Sequence, residues 1–286
     1  MRCSSATAWI FSLTIVIPCA TAAGAEEVTL AGSSTLFPVI EEAATIYYGG
    51  KITVTQGGSS AGIAQVLNGS TSLGMSSREL KQPEVAAGAQ AVRIGSDGIA
   101  LVVHATNSVS GLSKTQAQSV FGGLITTWKE VGGPEQPVVL ISLQGKHGTT
   151  EGFAHFLGLE MVDVGQATTG IAFQVKNGPA GKAISKRTDS SVASLGGLAV
   201  DPNAITFAPI GTTLRLIAQG APIKFLSLEG NMPTLQGVKN QSWPFTRPLL
   251  LVSKGKPTPI SQTFIDFMLA PDGQALVQKY DYVPLE

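Results

Sequence analysis

Short apolar runs alternate with longer amphipathic stretches along this chain. Val28–Ala31, Ile52–Thr55 and Leu73–Met75 read as strands, and Phe37–Tyr48 and Ala61–Leu67 between them read as helices. Pro38 sits in the first turn of the earlier helix, where its missing N–H is tolerated. Gly98–Ala105 reads as a long buried strand, and Ser113–Val120 as a helix opened by a Ser/Gln cap region. Val138–Ser142 is expected as a strand, Thr150–Leu157 as a helix, and Ala204–Ala208 and Pro248–Ser253 as strands. Ile260–Leu269 and Asp272–Lys279 close the chain as helices. Such β–α alternation, with nearly continuous apolar strands, predicts an α/β fold whose mostly parallel sheets are covered on both faces. "GIALVVHA" and "RPLLLVSK" are long enough to pass from one layer into another. They are expected as crossing strands between two lobes, residues 26–102 with 246–286 forming one and 103–245 the other.

Composition changes this picture at the N-terminus. Residues 9–19, "WIFSLTIVIPC", follow Arg2 and precede the small-x-small sites Ala20-Thr21-Ala22 and Ala23-Gly24-Ala25. That pattern predicts a secretory signal peptide over residues 1–25, cleaved after Ala22 or Ala25. Both cysteines, Cys3 and Cys19, fall within it, so the mature chain is expected to hold no disulfide, thiolate metal site or cysteine nucleophile. Elsewhere no run reaches the length of a membrane span. The chain of 286 residues is 43% apolar and 13% charged, enough for a sizeable core. Lys+Arg and Asp+Glu both total 19, so no global field points to nucleic acid or an acidic membrane surface.

The candidate chemistry lies where strands end. Gly32-Ser33-Ser34-Thr35, "QGGSSAG" (56–62), "GMSSREL" (74–80) and "KHGTTEG" (146–152) each combine glycine with two or three hydroxyls, and three of them open helices. A helix N-terminus presents unpaired N–H groups and roughly half a positive charge. Glycine lets a ligand approach the backbone, and Ser and Thr add donors. One hydroxyl is enough to cap a helix. The surplus predicts that several such ends converge on a small oxyanion at the carboxyl ends of the strands.

Two other chemistries fit less well. "GSSAG", Gly58 to Gly62, matches the nucleophile elbow of serine hydrolases with Ser60 as nucleophile, but no histidine follows His155 and no HGGG-type loop precedes the elbow. No metal site is expected, since His147 and His155 are eight apart without a carboxylate cluster around them. His155 is expected to pack on an apolar helix face, Trp128 to be a surface anchor or core residue, and Glu41 and Glu42 to form a solvated face.

"AGSSTLFPVI", "GGSSAGIAQVLNGSTSLGMSSREL", "DGIALVVHATNSVSGLSKTQAQSVFGGLITTWKEVGG" and the C-terminal "RPLLLVSKGK" through "FIDFMLAPDGQALVQKYDYVP" resemble the phosphate-binding proteins of bacterial ABC transporters. The resemblance extends over nearly the whole mature chain. It implies a two-lobed type II periplasmic-binding fold that clamps a dehydrated oxyanion, a periplasmic location, no catalysis, no cofactor, a monomer, and a membrane ABC permease as partner. It also implies ligand contacts from Ser34, Thr35, Leu36, Ser59, Ser77, Arg78, Gly148 and Thr149, with His147 as a further candidate and Arg78 as the fixed charge. Three departures bear on the ligand. Ser77 stands where many members have aspartate, Leu143 and Gln144 occupy the stretch of a usual arginine, and His147 replaces a serine. Sulfate, arsenate and an organic phosphate therefore stay open beside phosphate.

Overall fold

The strands expected from apolar runs form: most grow by a residue or two at their ends, the one expected over Val138–Ser142 shifts by one residue, and the one expected from Gly98 starts nine residues earlier. The computed structural model describes residues 27–47, 49–143, 147–162, 169–170, 172–179, 181–182 and 184–286. The expected leader and its cleavage sites, Tyr48, Gln144 and Lys146 lie outside them. In chain order the first elements are β1 (Glu27–Gly32), α1 (Phe37–Ile46), β2 (Lys51–Gln56), α2 (Ser59–Leu67), β3 (Leu73–Ser76), α3 (Gln82–Ala86) and β4 (Ala89–His104). There follow β5 (Gly111–Leu112), α4 (Lys114–Phe121), β6 (Val139–Leu143), α5 (Gly148–Leu157), β7 (Leu159–Met161), β8 (Thr169–Gly170), β9 (Phe173–Val175) and β10 (Ser185–Thr188). The remainder is α6 (Ser191–Ala199), β11 (Ala204–Pro209), α7 (Ile210–Ala218), β12 (Ile223–Phe225), β13 (Ser227–Leu228), α8 (Leu235–Lys239), β14 (Thr246–Lys254), α9 (Pro259–Leu269) and α10 (Pro271–Lys279).

The strands run in the order β2-β1-β3-β14-β4-β11-β6-β10-β8. Pairing is parallel between β1 and β2, β1 and β3, β6 and β11, and β6 and β10. It is antiparallel wherever β4 or β14 takes part. β4 is the link between two halves, or lobes. Residues up to Gly98 pair with β14, and from Ile99 onward the strand pairs with β11. At the handover the N–H of Ile99 donates to the carbonyl of Phe245, so the second crossing lies beside the first, one residue before β14 begins. β14 itself pairs with β3 and the first half of β4, so "RPLLLVSK" stays within one half and does not cross. "GIALVVHA" is thus the second half of a strand that starts at Ala89.

Each half has its own apolar core. In one, Leu30, Val39, Ile40, Leu73, Leu249, Phe264 and Val277 pack between β1, β3, β14 and the helices α1, α9 and α10. In the other, Phe121, Phe153, Phe173 and Phe207 cluster, with Phe153 and Phe207 stacked at 4.0 Å between ring centroids. Trp128 is fully buried and donates its indole N–H to the carbonyl of Asn203 at 2.9 Å, making it a core residue. Burying such side chains contributes about 1.5–3 kcal/mol each. His155 departs from expectation: it is exposed on the solvent side of α5, because the apolar stripe of that helix runs through Phe153, Ala154 and Leu157.

α2 lies tightly on the end of β1. A Cβ at Gly62 would stand 2.2 Å from the carbonyl oxygen of Ala31 and 2.6 Å from the Cα of Gly32. Alanine is the better helix former by about 1 kcal/mol, yet Gly62→Ala is expected to destabilise the protein by about 1–3 kcal/mol through overpacking. Chemical denaturation would measure it, and an unchanged midpoint would refute this close approach.

Candidate functional site

Three of the four hydroxyl-bearing turns end β1, β3 and the loop into α5, and a fourth opens α2. Their side chains meet at the crossing strands. Cross-strand register is what supplies the charge, because Arg247, near the start of β14, stands directly opposite Asp97 of β4. Its Nε and Nη2 donate to Asp97 Oδ2 at 3.1 and 2.7 Å. Nη2 also donates to Thr35 Oγ1 at 3.1 Å, and Nη1 donates to Thr149 Oγ1 at 2.7 Å and Ser77 Oγ at 3.3 Å. Arg247 is 5% exposed and Asp97 is fully buried.

A guanidinium has five N–H donors and no acceptor. Each of these three hydroxyls accepts from it and so keeps its own proton for another partner. Thr35 and Thr149, from different halves of the molecule, stand 3.5 Å apart. Ser33 donates to Ser77 at 3.0 Å and accepts the N–H groups of Thr35 and Leu36, which ties the first turn to the third. The N–H of Ser77 donates to Ser59 Oγ at 3.1 Å, and Gly148 lies against Ser59 and Ser77. The result is a buried cluster rich in donors, whose formal charge Asp97 balances. Burial pushes the Asp97 carboxyl up, against the pull of Arg247 and the backbone N–H groups of Gly98 and Gly211. The Tyr282 hydroxyl donates to the Thr35 carbonyl at 3.0 Å and anchors the first turn; burial pushes its pKa up to about 12.

Of the residues expected at the site, Thr35, Ser59, Ser77, Gly148 and Thr149 come together here, with Leu36 at the N-cap of α1. Ser34 lines, together with Thr35, an adjoining cleft of about 270 Å³ that Ser190, Thr212 and Arg215 also border. Arg78 points elsewhere: its guanidinium holds Glu84 at 2.7 Å and Glu151 at 2.6 Å, and its Nη2 donates to Ser60 at 2.8 Å. Burial opposes its charge, but the two carboxylates outweigh burial and hold its pKa above the ordinary value. His147 is the N-cap residue of α5, and its Nδ1 is buried without a hydrogen-bond partner among the described residues. Burial lowers its pKa against Asp189 and Glu151, so the ring is neutral at neutral pH. Thr150 Oγ1 is likewise buried and unpartnered among the described residues. Ser60, the residue of the hydrolase reading, donates to Glu151 at 2.7 Å and accepts from Arg78, an ion-pair setting with no imidazole in it.

Sequence reasoning passed over Arg247, Asp97 and Ser33. The signal was there in part. Arg247 and Asp97 are each a formal charge at the edge of a long apolar run, and a charge that enters a buried strand needs a partner.

A family model described as the PBP superfamily domain matches residues 18–272. The phosphate-binding protein PstS of Borreliella burgdorferi is 22% identical over 288 residues, covering 97% of each chain. Phosphate-binding protein PstS 2 of Streptococcus agalactiae is 39% identical over 109 residues, a match spanning 37% of this chain and 37% of that relative. A phosphate ABC transporter substrate-binding protein from Clostridium perfringens, solved with bound phosphate, superposes with a TM-score of 0.77 at 30% identity over 91% of this chain and 100% of that one. An ABC-type phosphate transport receptor from Vibrio cholerae superposes with a TM-score of 0.71 at 23% identity, over 90% of this chain and 100% of that one.

Proposed function

The chain belongs to the PBP superfamily, and from that premise we propose that it binds inorganic phosphate outside the cytoplasmic membrane and delivers it to an ABC-type permease. One observation carries the reading: Thr35, Ser77 and Thr149, from three separate turns, all accept from the Arg247 guanidinium and so offer their own protons to a common point. Helix N-termini behind Thr35, Ser59 and Gly148 add backbone N–H groups. Arg247, already balanced by Asp97, is the fixed charge in place of Arg78. The lobes divide where β4 changes partner, residues 27–98 with 246–286 forming one and 99–245 the other, and the anion is held when they close. The protein works as a monomer and catalyses no reaction. Among the described residues no helix is long and apolar enough to cross a membrane, and delivery from the periplasm follows from the predicted leader.

A second reading rests on the same hydrogen bonds. Arg247 takes Oδ2 of the buried Asp97 and neutralises its charge, so sulfate meets no net repelling charge, while Ser77 stands where a carboxylate would accept the proton of monohydrogen phosphate. Calorimetric titration of refolded, anion-free protein with phosphate, arsenate and sulfate at two pH values decides between them. Phosphate is expected to bind at least about 100-fold tighter than sulfate. Equal affinities would make the protein a general oxyanion binder, and no heat with any of the three would overturn the reading.

A further inference from the structure

We infer that Glu151 is a positioning residue for the anion site: through Arg78 it seats the tip of α5 against the opposite lobe without touching the anion. The inference rests on the two-lobed binding reading above, and it begins from where Arg78 spends its donors. Nη1 donates to the Glu79 carbonyl at 2.8 Å and to Glu84 Oε2 at 2.9 Å, and Nη2 to Glu84 Oε1 at 2.7 Å and Ser60 Oγ at 2.8 Å. Nε faces Glu151 Oε2 at 2.6 Å. Lys81 reaches the same Glu151 oxygen at 3.2 Å, and Ser60 donates to the other at 2.7 Å. Ser60, Arg78, Lys81 and Glu84 all belong to the part of the chain that carries β1 to β3, whereas Glu151 is on α5. Every contact of Glu151 in this cluster therefore crosses between the halves.

α5 makes this crossing matter. Its first turn carries both Thr149, which meets Arg247, and Glu151, which meets Arg78. A helical turn is stiff, so the two contacts form and break together when the lobes close and open. The side chains of Arg78 and Glu151 are only 8% and 11% exposed, and the pair is thus little screened by salt. On opening, Arg78 keeps Glu84 and Glu151 regains water, so neither charge is stranded. That makes the contact a reversible latch, and any bias it gives to the closed state multiplies the apparent affinity for the anion.

The test compares two neutralised carboxylates on the same arginine. Glu151→Gln removes the pairing that crosses between lobes, and Glu84→Gln removes the one within a lobe. Stopped-flow release of inorganic phosphate from the full protein is expected to be about tenfold faster in E151Q and within about twofold of the parent in E84Q. X-ray scattering of the ligand-free proteins is expected to show a larger radius of gyration for E151Q alone. Glu151→Asp should recover part of both readouts. Equal release rates in E151Q and the parent, or equal effects of E151Q and E84Q, would overturn the inference. A parent protein that takes up no phosphate would count against the proposed function instead, and the scattering comparison would still decide on the latch.

Discussion

Arg247→Gln is expected to abolish detectable phosphate binding and to destabilise the fold by about 3–5 kcal/mol, the usual cost of stranding one member of a buried ion pair. Two effects are mixed in that single variant. The guanidinium organises Thr35, Ser77 and Thr149, and it also neutralises the fully buried Asp97. Adding Asp97→Asn separates them. The double variant has no buried charge left to strand, so chemical denaturation should return most of the lost stability. Titration calorimetry should still find no phosphate binding, because nothing aligns the hydroxyls. Phosphate affinity within a few-fold of the parent in either variant would remove Arg247 from the site.

Gly148→Ala is the second large expectation, and it works through shape. Gly148 is the first residue of α5, and a Cβ there would stand 2.2 Å from Ser59 Oγ, 2.9 Å from Ser59 Cβ and 3.1 Å from Ser77 Oγ. Both serines come from the opposite half. The added methyl leaves each lobe's own packing alone and obstructs only their approach. Overpacking of this kind costs about 1–3 kcal/mol, so phosphate affinity should fall about 10- to 100-fold. Thermal stability of the ligand-free protein should hold or rise slightly, since alanine favours the helix. Scattering should show that added phosphate no longer compacts the molecule. Undiminished affinity with normal compaction would mean that the close contact at Gly148 is not part of the bound state.

Much of the architecture was readable before any coordinates. Val28–Ala31, Leu73–Met75 and Ala204–Ala208 became β1, β3 and β11 with small extensions, and Ser113 caps α4 through a reciprocal box with Gln116. Other elements escaped for identifiable reasons. α7 follows β11 without an intervening turn, so strand and helix merge into one apolar run across Pro209-Ile210. α6 contains Gly196 and Gly197, which dilute a helical signal. The first half of β4 mixes Gln90, Arg93 and Ser96 among its apolar positions, because one side of it is open to solvent.

The sequence alone marked the glycine-hydroxyl turns whose side chains meet in the cluster, and the physical reason is distance along the chain. Capping chemistry acts over three or four residues, so glycine-hydroxyl turns at strand ends announce themselves locally. Which charge those donors surround is a long-range matter. Arg247 and Asp97 are 150 positions apart and meet only through the antiparallel register of β14 on β4. Arg78 sits in one of the turns and looked like the natural cation, yet Glu84 and Glu151 claim it once α3 and α5 fold beside it. Local sequence thus set the hydrogen-bonding potential of each corner, while tertiary packing decided the partner of every charge, because ion pairing depends on neighbours that only the folded chain brings together.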